Sequence, residues 1–339
     1  MPSSVNVSTA AELADNAADN NYAYKDITIV NDIDYNIDPY YMWNNDFINC
    51  VPDTLYINGG YTVTEDGKEV SKRHILSNIY VQPNKIFIKN SAGCNREIKN
   101  LEFEVILNNA MFYDAYNKAN NGSVTKFINC VFNIRVYNLG SNPVFRLGRY
   151  TEDDFINCVF NIYITNAADI KPCIFKATDN AGHIFDYYLF ESCIFKIRNS
   201  SKMFYCIFNA DQTDAPYLDN CAIFLNDING HPSYDSGYVS GHGWNSLGIN
   251  GNNKSLKMNN SYIASFGQSD GTKIRICVGD NRNSLPYSSC FCDSDKINPV
   301  VHSGGYSTFD TNVISRLTTE QCKTPSKLSE IGYIFCEEV

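Results

Sequence analysis

The chain has 339 residues, 44% of them hydrophobic and only 19% charged, and its 27 Lys and Arg against 37 Asp and Glu leave a net charge of −10. That hydrophobic share excludes global disorder, and an acidic, charge-poor chain neutralises phosphates badly, so nucleic acid is not an expected partner. No apolar run is long enough to span a bilayer, and no membrane insertion is expected.

The opening Met1-Pro-Ser-Ser-Val-Asn6 has neither a basic region nor an apolar stretch, so no secretion signal is read there. Ser8-Thr-Ala-Ala-Glu12-Leu13 reads as a helix start, with Ser8 or Thr9 capping and Glu12 in the first turn. Residues 1–26 are expected to be an N-terminal cap. A strand follows at Ile27-Thr-Ile-Val30. The 23 Tyr and 20 Phe, many Ile, Val and Asn, and few helix formers predict an all-β chain from there on.

A pattern then recurs: apolar-x-Asn-x-x-apolar. It runs as Leu76-Ser-Asn78-Ile-Tyr-Val81, Ile98-Lys-Asn100-Leu-Glu-Phe103, Phe127-Ile-Asn129-Cys-Val-Phe132 and Phe155-Ile-Asn157-Cys-Val-Phe160. Phe190-Glu-Ser192-Cys-Ile-Phe195, Leu218-Asp-Asn220-Cys-Ala-Ile223 and Met258-Asn-Asn260-Ser-Tyr-Ile263 continue it, and Phe47-Ile-Asn49-Cys50 is an imperfect first copy. A second series, at Phe145, Phe175 and Phe204, falls between the copies. Short alternating strands cannot bury their apolar face alone, so stacked repeats of two or three strands are expected. The prediction is a parallel β-helix solenoid of about eight coils over 27–265, roughly 40 Å long at the usual strand spacing. The repeated residues Asn78, Asn100, Asn129, Asn157, Ser192, Asn220 and Asn260 are expected to form one structural ladder at a bend, because Asn tolerates the left-handed conformation. Cys130, Cys158, Cys193 and Cys221 would form an inward stack of free thiols. The 13 Cys include no C-x-x-C pair and the five His do not cluster near Cys pairs, so neither disulfides nor a bound metal is expected. Residues 266–339 are read as C-terminal coils and a cap or assembly segment, with helical turns at Thr318-Thr-Glu-Gln321 and Pro325-Ser-Lys-Leu328 and a final strand at Tyr333-Ile-Phe335.

At this point the chain resembles the pectin-lyase-like, right-handed parallel β-helix superfamily. Val7-Ser-Thr-Ala-Ala-Glu-Leu13 with Ile27-Thr-Ile-Val-Asn-Asp-Ile33 is similar to that family's opening helix and strand, and Phe-Ile-Asn-Cys-Val-Phe to its coils. Leu317-Thr-Thr-Glu-Gln321 and Leu328-Ser-Glu-Ile-Gly332 look like a tail found in phage and bacterial surface proteins. The resemblance implies a fold that carries both enzymes and inert virion parts.

The enzymatic hint is Ser240-Gly-His242-Gly243 with Lys273-Ile-Arg275-Ile276, which looks like the Gly-His-Gly and Arg-Ile-Lys elements of polygalacturonase-type hydrolases. Cys277 stands where the resemblance calls for Lys. Asp219 is the one acid on the preceding coils in a suitable place. Inverting hydrolysis needs two carboxylates in different protonation states, so Asp219, His242 and Arg275 make an incomplete set. The acidic runs Asp32-Ile-Asp34, Glu152-Asp-Asp154 and Asp293-Ser-Asp295 read as solvated turns rather than calcium sites. The long stretch from 227 to 255 offers Tyr234, Tyr238 and Trp244 as binding residues, for a glycan or for a neighbouring subunit. The function expected is that of a non-catalytic, cofactor-free bacteriophage virion protein, a tail or capsid appendage folded in the host cytoplasm. Its expected partners are other virion proteins, further copies of itself (a trimer among the options) and a host-surface glycan. The alternatives are a polysaccharide hydrolase, lyase or depolymerising tailspike, and a bacterial surface adhesin.

Overall fold

A computed structural model describes residues 3–19, 21, 23–36, 48–90, 95–115, 123–140, 142–147, 151–166, 173–177, 188–200, 206–210, 217–227, 257–265, 274–280, 287–288, 291–293, 297–303, 306–308 and 315–322. The chain is all-β, built mainly from parallel sheets. Three sheets carry most of it, here A (ten strands), B (eleven) and C (six). From Tyr24 to Ala210 the chain visits A, then B, then C, in unchanging rotation. Each strand therefore pairs with the one that precedes it by a full pass. Phe127 lies beside Phe155 and Phe155 beside Phe190 in A. In B, Phe103, Phe132, Phe160 and Phe195 follow one another in register.

This register stacks like upon like. The rings of Phe132 and Phe160 lie 4.9 Å apart and 11° from parallel, and those of Phe160 and Phe195 4.8 Å and 8°. Phe127 and Phe155 are 5.1 Å and 4° apart, Phe145 and Phe175 of sheet C 4.8 Å and 18°. Between the columns the rings meet edge to face: Phe145 makes 84° with Phe160 and 89° with Phe155. One continuous core thus lies where the three sheets face each other. Both geometries are ones the aromatic quadrupole favours.

The A-to-B bend explains the recurrent Asn. Asn100, Asn129, Asn157, Ser192, Asn220 and Asn260 all have positive φ, between 43° and 55°. Their amides join across the passes. Asn100 Nδ2 donates to Asn58 Oδ1 at 2.9 Å, Asn129 to Asn100 at 2.8 Å and Asn157 to Asn129 at 3.3 Å. Asn220 donates to Ser192 Oγ at 3.2 Å and Asn260 to Asn220 at 3.1 Å. The next residue turns inward. Cys158, Cys193 and Cys221 donate their thiols to the carbonyls of Phe127, Phe155 and Phe190 on the preceding pass, at 3.1 to 3.3 Å. Ser261 does the same towards Leu218 with a hydroxyl. Burial, then the thiol of Cys158, pushes Cys130 and Cys193 well above the ordinary thiol range, so these groups stay protonated and able to donate.

One expectation about the ladder and one about the repeat need correction. Asn78 stands outside it. It sits inside the long strand Lys68–Val81, at a bulge where Leu76 and Ile79 face Phe103 and Val105. Its φ of 57° serves the bulge, and its amide binds Asp34 at 2.9 Å. Asn49 lies in sheet C, opposite Lys89. The corner on that pass is Gly59, whose N–H donates to Lys99 O. A Cβ at Gly59 would meet Leu101 and come within 2.8 Å of Asn100 O, which excludes Asn there. An antiparallel hairpin, Gly60–Glu65 with Lys68–Arg73, leaves the sheet at this corner. Asp66 and Gly67, both at positive φ, make its turn.

The N-terminal end holds one strand more than expected. Ser3–Val7 is a strand of sheet A, paired in parallel with Tyr24–Ile29. Helix Ala10–Ala17 is closed by a reciprocal box: Glu12 N–H donates to Thr9 Oγ1 while Glu12 accepts from the Thr9 N–H. Sheets A and B run past residue 265, through Tyr287–Ser288, Phe291–Asp293 and Ser315–Leu317. The helical turn Thr319–Cys322 follows, whereas 325–328 and 333–335 lie outside the described residues.

Two stability outcomes follow from the corner. Asn129→Ala loses up to three amide contacts and a residue suited to positive φ, and should cost about 2–3 kcal/mol in urea unfolding. Asn129→Gly restores the backbone freedom and should cost roughly half as much. At Cys193, Ser should be milder than Ala, since Ser261 already fills the matching place; the order of the two melting temperatures checks this. Acid should also loosen the N-terminal end. Glu12 is held low by the Ser8 N–H and hydroxyl, Asp19 by Lys25, and Asp34 by the Asn78 amide. Folded values below unfolded ones stabilise at neutral pH, and this contribution disappears as pH falls below about 4. A circular-dichroism acid titration should show less loss for Glu12→Gln than for the parent chain.

Candidate functional site

The six residues expected to act do not gather into one described site. Asp219 ends the sheet A strand Tyr217–Asp219, half-buried, and its Oδ1 accepts from Asn259 Nδ2 at 2.7 Å. Arg275 lies in Ile274–Asp280, opposite Asn298, in a separate three-stranded sheet. The two are thus in different sheets. His242, Tyr234, Tyr238 and Trp244 lie outside the described residues.

The acidic run 152–154 corrects another expectation. Asp153 and Asp154 are 0% and 2% exposed, not solvated turn residues. Strand pairing places Thr125 beside Asp153, and sheet C brings Tyr113 and Asn90 over them. Tyr113 donates its hydroxyl to Asp153 at 2.9 Å, and Asn90 donates to Thr125 at 3.0 Å. Lys126 approaches Asp154 at 3.4 Å. Burial, then the charge of Asp153, pushes the Tyr113 phenol well above its ordinary value. Tyr113, Asn90, Thr125 and Asp153 are sealed from solvent, and their bonds tie sheets C and A together. A second ion pair, Arg146 to Asp114 through two 2.9 Å bonds, lies in sheet C. Among the described residues, no three His, Cys, Asp or Glu side chains converge as metal ligands would.

The outer face of sheet B carries a different kind of surface. Its outward residues form two columns. One runs Glu104, Asn133, Asn161, Lys196 and the other Ile106, Arg135, Tyr163, Arg198. They line an open groove of about 540 Å³. The amides are chained: Asn161 donates to Asn133 at 2.7 Å, and Asn133 donates to Glu102 at 2.8 Å. Arg198 lies over the Tyr163 ring, 5.4 Å from its centre. Arg135, Lys196 and Arg198 are exposed, while Tyr163 and both amides are half-buried. The groove has three cations on an otherwise acidic protein, a ring and two oriented amides. No run in the sequence announces it, because its residues come together only through register.

No family model matches the chain, and neither does any curated protein or solved structure.

Asp219→Asn keeps an acceptor for Asn259 and should leave the melting temperature within a degree or two, while Asp219→Ala should cost about 1 kcal/mol. Differential scanning calorimetry of the two variants checks the order.

Proposed function

We propose that sheets A, B and C are the three walls of a right-handed parallel β-helix, and that the chain is a non-catalytic structural part of a bacteriophage particle. In this reading it is a tail or capsid appendage, holding to other virion proteins or presenting a surface to the host. The observation that carries it is the uninterrupted stacking at the A-to-B corner. From Asn100 to Asn260, each pass repeats a left-handed residue at the corner, Asn in all but Ser192, and from Cys130 to Ser261 an inward thiol or hydroxyl follows it and donates to the preceding pass. Such a stack is stiff, self-supporting and extendable, which suits a spacer or fibre element. Asp219, the acid that hydrolysis would need, is engaged by Asn259 in a structural bond. The motifs quoted at 317–321 and 328–332 support the particle assignment by resemblance alone.

Two measurements test this. Small-angle scattering of the purified chain should give the profile of an elongated rod. Antibodies raised against it should label particles pelleted from a culture carrying its gene, at fixed copy number per particle. A compact scattering profile, or protein found only in the free soluble fraction, rejects the reading. So does cleavage of a polysaccharide by the wild-type chain that Asp219→Ala abolishes.

A further inference from the structure

We infer that the groove on the outer face of sheet B binds an acidic glycan with a carboxylate on alternate sugars. The inference takes its biological setting from the host-contact part of the reading above, but its geometry needs only the register of sheet B. Arg135, Tyr163 and Arg198 occupy one outward column on three successive strands. The backbone positions of the two arginines are therefore two strand spacings apart, roughly 9.6 Å, and the Arg198 guanidinium leans over the Tyr163 ring that lies between them. An equatorially linked pyranose advances a glycan by about one strand spacing. A chain laid across the strands thus brings one carboxylate to Arg135 and the next to Arg198. The sugar between them faces Tyr163.

The chemistry at each station suits that ligand. Guanidinium groups bind carboxylates through paired hydrogen bonds, and exposed Arg can turn to do so. The half-buried Tyr163, with the Arg198 guanidinium over its ring, gives a flat body for the sugar and a hydroxyl for its rim. Asn133 and Asn161, fixed by their mutual 2.7 Å bond, run parallel to the column one residue pair away and present amide edges to sugar hydroxyls. Lys196 adds a third cation at the same end. Glu104 marks the other end, where it would repel a carboxylate and accept from hydroxyls, so the acidic part of the ligand belongs over 135–198. A nucleic acid fits less well. It brings a charge at every residue, while the face offers cations on alternate strands, next to Glu102 and Glu104 on a chain of net charge −10.

The test uses the full chain and octasaccharides of hyaluronan and of unsulfated chondroitin, in isothermal titration at low salt. A neutral chitin oligosaccharide and a single-stranded DNA of equal charge serve as comparisons. Wild type should bind at least one acidic octasaccharide, tenfold or more tighter than either comparison. Arg135→Ala and Arg198→Ala should each weaken it at least tenfold, and Arg135→Lys by a few-fold, since charge remains but the paired bonds do not. Both side chains are exposed, so melting curves of the variants should overlay the wild type. The inference is overturned if neither acidic glycan binds, if DNA or the neutral sugar binds as tightly, or if the Arg135→Ala/Arg198→Ala double variant binds as the wild type does. Binding by a chain that never enters particles would reject the virion role and leave the groove standing.

Discussion

The constraint on which the molecule depends is in-register parallel pairing of strands separated by a full pass of the chain. Parallel register places residue over equivalent residue, so whatever is favourable once is repeated along the stack, and whatever is unfavourable is repeated too. The phenylalanine columns show the first effect. The bend shows the second: from Asn100 to Asn260 each pass turns through one residue held in the left-handed conformation. Asn meets that demand and also passes a hydrogen bond to its neighbour above. The turn would strand inward carbonyls, and a thiol or hydroxyl of the right length meets them. Cysteine at this place is thus a small buried donor, and at Cys130 and Cys193 burial holds the thiol protonated.

Much of this was legible in the amino-acid order. The Phe-Ile-Asn-Cys-Val-Phe copies differ in spacing but not in pattern, because one bend and one core position fix both. The same logic misleads at Asn78. A bulge and a corner both ask for positive φ, so both attract Asn between apolar residues, and the pattern cannot tell them apart. The hairpin after Gly59 had its own mark in Asp66-Gly67, flanked by alternating residues at 61–64 and 68–71.

Charged residues were harder to place than apolar ones. Three acids in a row at 152–154 suggest solvent, yet two of them are buried, because Tyr113 from another sheet and Lys126 from the neighbouring strand come to meet them. Nothing near 152 in sequence reveals either partner. The groove on sheet B is subject to the same limit. Arg135, Tyr163 and Arg198 are separated by 28 and 35 residues, and each alone is an ordinary outward residue of an alternating strand. Only their vertical alignment gives them a joint chemistry.

A stack in which each layer resembles the next carries a hazard of its own. A segment could settle one layer out of place and still find Phe on Phe and Asn on Asn, with little energetic penalty to expel it. The unequal intervals between corners, 29, 28, 35, 28 and 40 residues from Asn100 to Asn260, work against such slippage. A misplaced layer would leave its linkers too short on one side and slack on the other. Irregular linkers in this chain are therefore more than tolerated surface variation: they label otherwise interchangeable layers and so give the folding chain a unique order.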